Sequence, residues 1–292
     1  MNRSGISPRE PNPLNWFTET LETDLGRQVQ VEYKKILASS HSDFQHVEVY
    51  ETVPYGKMLV LDGVIQLTEF DHFAYHEMLI HIPMNAHPHP KSLLIVGGGD
   101  GGALAEAIKH PSLETIVLCE IDKTVIDVSR KHFPEFDKAF EDKRLTVIIR
   151  DAAEYLKNTA STFDIIAIDS SDPIGPAEIL FQEAFYRDVF SSLTEEGIAV
   201  SQSESMFYHQ DFIATLLAQN KMIFPVNEYY YTLVPTYPSG TIGFSFCSKT
   251  HDPTTHLNAD RVAELKGLKY YSQPIHQASF VLPAFMRDKL AH

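Results

Sequence analysis

A strand, a turn built almost wholly of glycine, and a helix follow one another at residues 93–109, and this unit decides most of what the chain can become. Leu93-Leu94-Ile95-Val96 is apolar at every position, as a strand buried on both faces of a sheet requires. Gly97, Gly99 and Gly102 then complete a G-x-G-x-x-G pattern where strand passes into helix, and a nucleoside can approach backbone and helix N-terminus there. Asp100 narrows the choice of ligand. A carboxylate inside such a loop repels a pyrophosphate, which needs free N–H groups and a positive helix end, and it attracts a cation. The loop therefore points to a positively charged nucleoside without phosphate, such as a sulfonium.

A chain of 292 residues accommodates one large α/β domain with an appendage, or two domains. No stretch approaches the roughly 18 consecutive apolar residues of a membrane span. Residues 1–13 are polar and contain prolines, with no apolar segment of a secretion signal. Cys119 and Cys247 sit in apolar runs without metal-ligand spacing, which fits a reducing cytoplasm. The net charge of -15 argues against nucleic acid and anionic membranes as partners and draws cations. A cytoplasmic protein with no bound metal is expected.

Residues 28–66 alternate as strands do: Val29 with Val31, Val47 with Val49, then the run 58–61. Pro54-Tyr55-Gly56 and Asp62-Gly63 mark turns, the second a two-residue hairpin turn. This small antiparallel unit cannot hold a core of its own and must pack on the rest of the chain or on a second copy. Trp16 and Phe17 are expected to be buried anchors. Thr68 to Asp71 reads as a helix start with an N-cap and an acid in its first turn; the helix carries Tyr75, His76 and Glu77 and is expected to stop at Pro83.

From the glycine turn onward, strands and helices alternate, which specifies a parallel sheet. Strands are expected at 115–119, 144–149, 163–168 and 197–201, with helices at 125–133, 152–157, 183–193 and 208–220. Residues 228–234 and 241–247 have no helix between them and are expected to pair antiparallel. The fold class is α/β: a Rossmann-like, S-adenosylmethionine-dependent methyltransferase-type fold with a mostly parallel seven-stranded sheet and helices on both faces. A small N-terminal antiparallel β domain is expected at 1–69, and the catalytic domain at 70–292.

Four successive strands end in acids: Asp100, Glu120, Asp151, and Asp169 with Asp172. Ligands of open parallel sheets bind at the carboxyl ends of the strands, so these carboxylates converge on one crevice. Glu120 follows the glycine turn at the distance where an acid bonds ribose hydroxyls. Asp151 either reaches an adenine amino group or caps the helix that follows it. Asp169 and Asp172 flank two serines in a short loop, which is either a polar turn or a holder for an amine. An alkylammonium has a pKa near ~10.4, by analogy with lysine, so it is protonated at neutral pH and cannot attack a carbon. A carboxylate and a tyrosine hydroxyl beside the amine can orient it and take its proton. The leaving thioether departs neutral from a sulfonium and needs no acid and no metal. His76 is as consistent with a core or capping histidine as with a ligand contact.

Six motifs resemble those of the polyamine aminopropyltransferases: Leu61-Asp62-Gly63-Val64-Ile65-Gln66, Tyr75-His76-Glu77-Met78, Gly97-Gly98-Gly99-Asp100-Gly101, Cys119-Glu120-Ile121-Asp122, the run from Asp169 to Glu178, and Pro235-Thr236-Tyr237-Pro238-Ser239-Gly240. The similarity extends over nearly the whole chain. The resemblance implies transfer of an aminopropyl group from decarboxylated S-adenosylmethionine to putrescine, giving spermidine and methylthioadenosine, with no tightly bound cofactor. It implies that Asp169 accepts the proton, with Tyr75 and Tyr237 assisting at the attacking amine. Asp172 and Gln66 then grip the distal part of putrescine, and Asp100 and His76 hold the aminopropyl end of the donor. Gln45, Glu120 and the Asp151-Ala152 pair bind the nucleoside, with Pro176 against its base. A homodimer is implied, or a tetramer, assembled through the N-terminal β unit. Two positions depart from the family pattern. Ala152 stands where Gly is usual, and His76 stands where many members have Gln; both His and Gln can hydrogen-bond a substrate. Residues 170–177 resemble a mobile loop that orders over the bound ligands.

Three other functions fit parts of the pattern. A methyltransferase using intact S-adenosylmethionine and a dinucleotide oxidoreductase are both disfavoured by Asp100. A non-catalytic polyamine-binding protein is disfavoured by the presence of Asp169, Tyr75 and Tyr237 together. Acceptors related to putrescine, such as cadaverine, differ by a methylene that a slot discriminates by only about 1–3 kcal/mol.

Overall fold

The computed structural model describes residues 15–19, 21, 25–171 and 175–291, with the backbone alone at 175 and 176. Five antiparallel strands open the chain: β1 (Asn15–Thr18), β2 (Gln30–His41), β3 (His46–Thr52), β4 (Lys57–Leu61) and β5 (Val64–Thr68), paired in chain order. Asp62 and Gly63, both at positive φ, close the β4–β5 hairpin as the sequence predicts. Val47, Val49, Leu59 and Leu67 pack against Val125, Phe133 and Phe136. The small sheet thus shares one cluster with the larger unit, but Phe17, Val31, Tyr50, Met58, Val60 and Ile65 form a second cluster from its own residues alone, against expectation. Phe17 is buried, but Trp16 is 49 % exposed, against expectation. Successive β1 residues face opposite sides of the strand, so only one of the two can point inward.

Helix α1 (His72–Ala86) is buried from Ala74 to Ala86. A helix enclosed on all sides must satisfy each polar side chain from neighbouring chain. Glu77 does so by accepting the N–H groups of Lys269, Tyr270 and Tyr271 at 2.8, 2.9 and 2.7 Å. The helix start differs from the sequence expectation. Thr68 ends β5, and Asp71 makes no capping bond: its carboxylate accepts from the hydroxyls of Thr68 and Thr236 and from the Thr236 N–H. Nor does Pro83 stop the helix. It removes one N–H, but the helix continues to Ala86, and the His87 N–H bonds the Pro83 carbonyl.

The alternating region follows as β6 (Ser92–Gly97), α2 (Gly102–Ala107), β7 (Thr115–Glu120), α3 (Lys123–His132), α4 (Pro134–Asp137), β8 (Leu145–Ile149), α5 (Ala152–Leu156), β9 (Phe163–Asp169), α6 (Glu183–Ser192), β10 (Leu193–Gln202), α7 (Gln210–Lys221), β11 (Val226–Leu233) and β12 (Thr241–Ser248). Three short helices end the described chain: α8 (Ala259–Glu264), α9 (Gln273–Ser279) and α10 (Ala284–Leu290). The seven strands order as β11-β12-β10-β9-β6-β7-β8, and β12 alone runs against its neighbours. This is the mostly parallel Rossmann-like sheet expected from the sequence. β10 begins four residues earlier than predicted and carries an irregularity between Leu193 and Ile198, which hides its start from an alternation pattern.

Leu93 and Ile95 pack with α1 and α2 on one face of the sheet, while Leu94 and Val96 pack with α5, α6 and α7 on the other. The chain leaves β6 toward β7 and β8 on one side and returns to β9 and β10 on the other. β6 and β9 therefore flank the switch point at which open α/β sheets bind ligands. Among the described residues, no helix is long and apolar enough to cross a membrane.

Candidate active site

One cavity of about 440 Å³ opens above that switch point. Ten sequence-predicted residues line it together: Gln45, Gln66, Tyr75, His76, Asp100, Glu120, Asp151, Ala152, Asp169 and Tyr237. Asp172 lies outside the described residues, and so does the side chain of Pro176.

The glycine turn sets the geometry. Gly97 has φ +74°, and a Cβ there would lie 2.2 Å from the Asp169 carbonyl oxygen. The Gly98 N–H donates to that same carbonyl at 3.0 Å, so the turn is locked against the end of β9 and fixes where Asp169 stands. At Gly102 a Cβ would meet the His76 ring at 2.0 Å; the imidazole rests directly on the backbone at the start of α2. The Gly102 N–H donates to Asp100 Oδ1 at 2.6 Å, and His76 Nε2 lies 3.4 Å from the same oxygen.

Asp169 is the electrostatic focus. The Tyr75 hydroxyl donates to its Oδ1 at 2.8 Å, while its Oδ2 is closed off from solvent with no hydrogen-bond partner. Burial first, and then the charge of Asp100, hold its carboxyl well above the usual carboxylate range, although the Tyr75 hydrogen bond opposes them. Burial and the Asp169 charge likewise raise the Tyr75 phenol. The Tyr237 ring meets Tyr75 edge-on at 6.4 Å, and its hydroxyl donates to the Gln66 carbonyl at 2.7 Å. Tyr75 thus bonds the carboxyl directly, and Tyr237 packs beside Tyr75.

Glu120 ends β7, where it accepts from the Gly99 N–H at 3.1 Å and the Asp122 N–H at 2.9 Å. Burial pushes its pKa up to about 7 in spite of those two bonds. Gln45 donates to Asp122 Oδ2 at 3.0 Å, which ties the first sheet to the Glu120-Ile121-Asp122 turn. Asp151 caps α5: its Oδ1 accepts from the N–H groups of Ala153 and Glu154 at 2.7 and 3.3 Å. The capping alternative left open by the sequence is therefore real, and Asp151 also borders the cavity. The Ala152 methyl group packs into the apolar cluster of Val96, Val117 and Ile168, which accounts for tolerance of Ala at this position.

The sequence did not reveal Glu204 and Glu19, which line the same cavity. Glu204 is buried at φ +63° and pairs with His209 Nδ1 at 2.9 Å. It follows β10 by two residues, so the rule of acids at strand ends would have found it. Glu19 accepts the Ile65 N–H at 2.8 Å and has no comparable signal in its surroundings. One ligand atom each from His76, Asp100 and Asp169 lie within 4.8 Å of one another, the one group of this kind among the described residues.

Comparisons with known proteins agree with this architecture. Residues 72–258 match the model of the spermine/spermidine synthase domain, and residues 15–69 match that of the spermidine synthase tetramerisation domain. A polyamine aminopropyltransferase of Leptospira biflexa is 48% identical over 272 residues, covering 93% of this chain and 96% of the relative. A spermidine synthase of Dictyostelium discoideum is 44% identical over 278 residues, covering 94% and 97%. Among solved structures, a spermidine synthase in complex with the transition-state analogue AdoDATO superposes with a TM-score of 0.93 at 36% identity, covering 98% of each chain.

Proposed function

The chain belongs to the spermine/spermidine synthase family, and on that premise we propose that it transfers an aminopropyl group from decarboxylated S-adenosylmethionine to putrescine. The chain is an aminopropyltransferase that makes spermidine; putrescine as acceptor, and the residue roles that follow, are our proposal. The observation that carries them is the Tyr75–Asp169 pair, with an unpartnered Asp169 oxygen, in a cavity walled by Asp100 and Glu120.

The donor carries a sulfonium and a primary ammonium and no carboxylate. Asp100 and His76 hold its aminopropyl end. Glu120 takes the ribose hydroxyls on lone pairs not used by Gly99 and Asp122. Gln45 steadies the turn beneath through Asp122. Asp151 and Ala152 border the base, with Pro176 as a further base contact, and Asp172 and Gln66 hold the far end of putrescine.

Chemistry follows from charge. Without ligand, burial and then the charge of Asp100 shift Asp169 toward its protonated form. The doubly cationic donor neutralises Asp100 and Glu120 and so returns Asp169 to its carboxylate form. Putrescine enters as an ammonium and gives one proton to Asp169, with the Tyr75 and Tyr237 hydroxyls orienting the nitrogen. The freed nitrogen lone pair attacks the carbon joined to sulfur. The C–N bond forms as the C–S bond breaks, the bonding pair goes to sulfur, and methylthioadenosine leaves neutral. We place the enzyme in the cytoplasm. Residues 1–69 act as the assembly unit of a homodimer or tetramer, and 70–292 as the catalytic unit.

Mass spectrometry of the amine products tests this. With decarboxylated donor and a panel of putrescine, cadaverine and spermidine, the acceptor with highest kcat/KM is expected to be putrescine, gaining one aminopropyl unit. Methylated product from intact S-adenosylmethionine, or amine binding without turnover, would refute the proposal.

A further inference from the structure

We propose that His76, Asp100 and Asp169 bind a first-row divalent cation, with Zn²⁺ as the type ligand, and that this cation excludes the nucleoside donor. The ligand atoms of a tetrahedral zinc, about 2.1 Å from the metal, stand about 3.4 Å apart. His76 Nε2 and Asp100 Oδ1 are already 3.4 Å apart, and the three candidate atoms fall within 4.8 Å of one another. Closing on the ion takes only a small side-chain movement.

Each ligand is also held from behind, as metal ligands are. His76 Nδ1 faces His72 Nδ1 at 3.4 Å. His76 can donate its Nδ1 proton across that contact. In that tautomer Nε2 carries its lone pair toward the two carboxylates. The Gly102 N–H steadies Asp100, and the Tyr75 hydroxyl steadies Asp169. An independent observation points the same way: Asp169 Oδ2 is sealed from solvent with its acceptor capacity unused. One imidazole and two carboxylates, with a fourth position left for water, suit zinc.

Zinc with Asp100 and Asp169 is neutral, and the donor's two positive charges are likewise met by acids of this cavity, Asp100 among them. The two ligands therefore satisfy one electrostatic demand in one place. This exclusion rests on the aminopropyltransferase function; the affinity for the ion does not.

Isothermal calorimetry with Zn²⁺ on metal-stripped protein is expected to find a site that weakens at least about tenfold in both His76→Gln and Asp169→Asn. Matched circular dichroism spectra verify that both variants are folded. The stacked His41–His46 pair, exposed at His41 and half-buried at His46, is the rival zinc binder, so His41→Ala is expected to leave this site's affinity unchanged. Zinc-edge X-ray absorption of the one-equivalent wild-type complex should report one imidazole with oxygen ligands; two imidazoles would overturn the assignment without any variant. In turnover assays Zn²⁺ should raise the donor KM, leave kcat at saturating donor, and be reversed by EDTA. Inhibition that survives saturating donor would overturn the exclusion. Absence of turnover with any donor would refute the proposed function, and calorimetry would still judge the metal site.

Discussion

Glu120 makes the charge of the site measurable as stability. Its pKa rises from 4.5 to about 7 because folding buries it. For an acid raised in the folded state, the folded chain keeps a proton that the unfolded chain has lost. Its contribution is fully present below pH 4.5 and disappears as pH rises through about 7. At about 1.4 kcal/mol per pH unit, the loss is about 3 kcal/mol. Glu120→Gln abolishes the titration. Its single acceptor oxygen can serve only one of the Gly99 and Asp122 N–H groups, so the variant also carries an offset of about 1–3 kcal/mol at every pH. The difference in slope is therefore the informative quantity. Urea unfolding of both proteins from pH ~4.5 to ~8 should show wild type losing about 3 kcal/mol more than the variant across that span. Asp169 titrates in both proteins and largely cancels. Parallel curves would refute the burial of an ionisable Glu120. Saturating methylthioadenosine, through ribose hydroxyls that favour the carboxylate, should flatten the wild-type slope.

Glu77→Gln leaves buried N–H groups of residues 269–271 short of acceptors and should destabilise the fold by about 2–4 kcal/mol in urea unfolding, with substrate KM values near wild type at 25 °C. Gly102→Ala must displace the His76 ring, so the donor KM should rise at least about tenfold while the acceptor KM changes little. Asp169→Asn should lower kcat by at least about a hundredfold with donor affinity retained; a near-normal rate would remove Asp169 as the base.

The sheet and its crevice were legible because both come from local pattern. Glycine turns, apolar strands and acids at strand ends are set within a few residues, and the topology then gathers Asp100, Glu120, Asp151 and Asp169 at one cavity. What escaped depends on distant chain. Asp71 resembles a helix cap in sequence, but Thr236 claims its carboxylate. Glu77 sits beside two site residues, yet it serves residues 269–271. Pro83 reads as a stop, but the enclosed helix continues past it. Trp16 and Phe17 read alike, and only the pairing of β1 with β2 decides which one is covered. Helices α8 to α10 are short and lie against a core they did not nucleate, so no periodicity announced them.

The central claim is that the acids select a nucleoside by its charge. Calorimetric titration of wild type with decarboxylated and with intact S-adenosylmethionine tests it most directly, because placing a substrate carboxylate against Asp100 costs several kcal/mol. The expected preference for the decarboxylated nucleoside is at least about a hundredfold, shrinking at least about tenfold in Asp100→Asn. Equal affinities in wild type, or a preference untouched by Asp100→Asn, would contradict it.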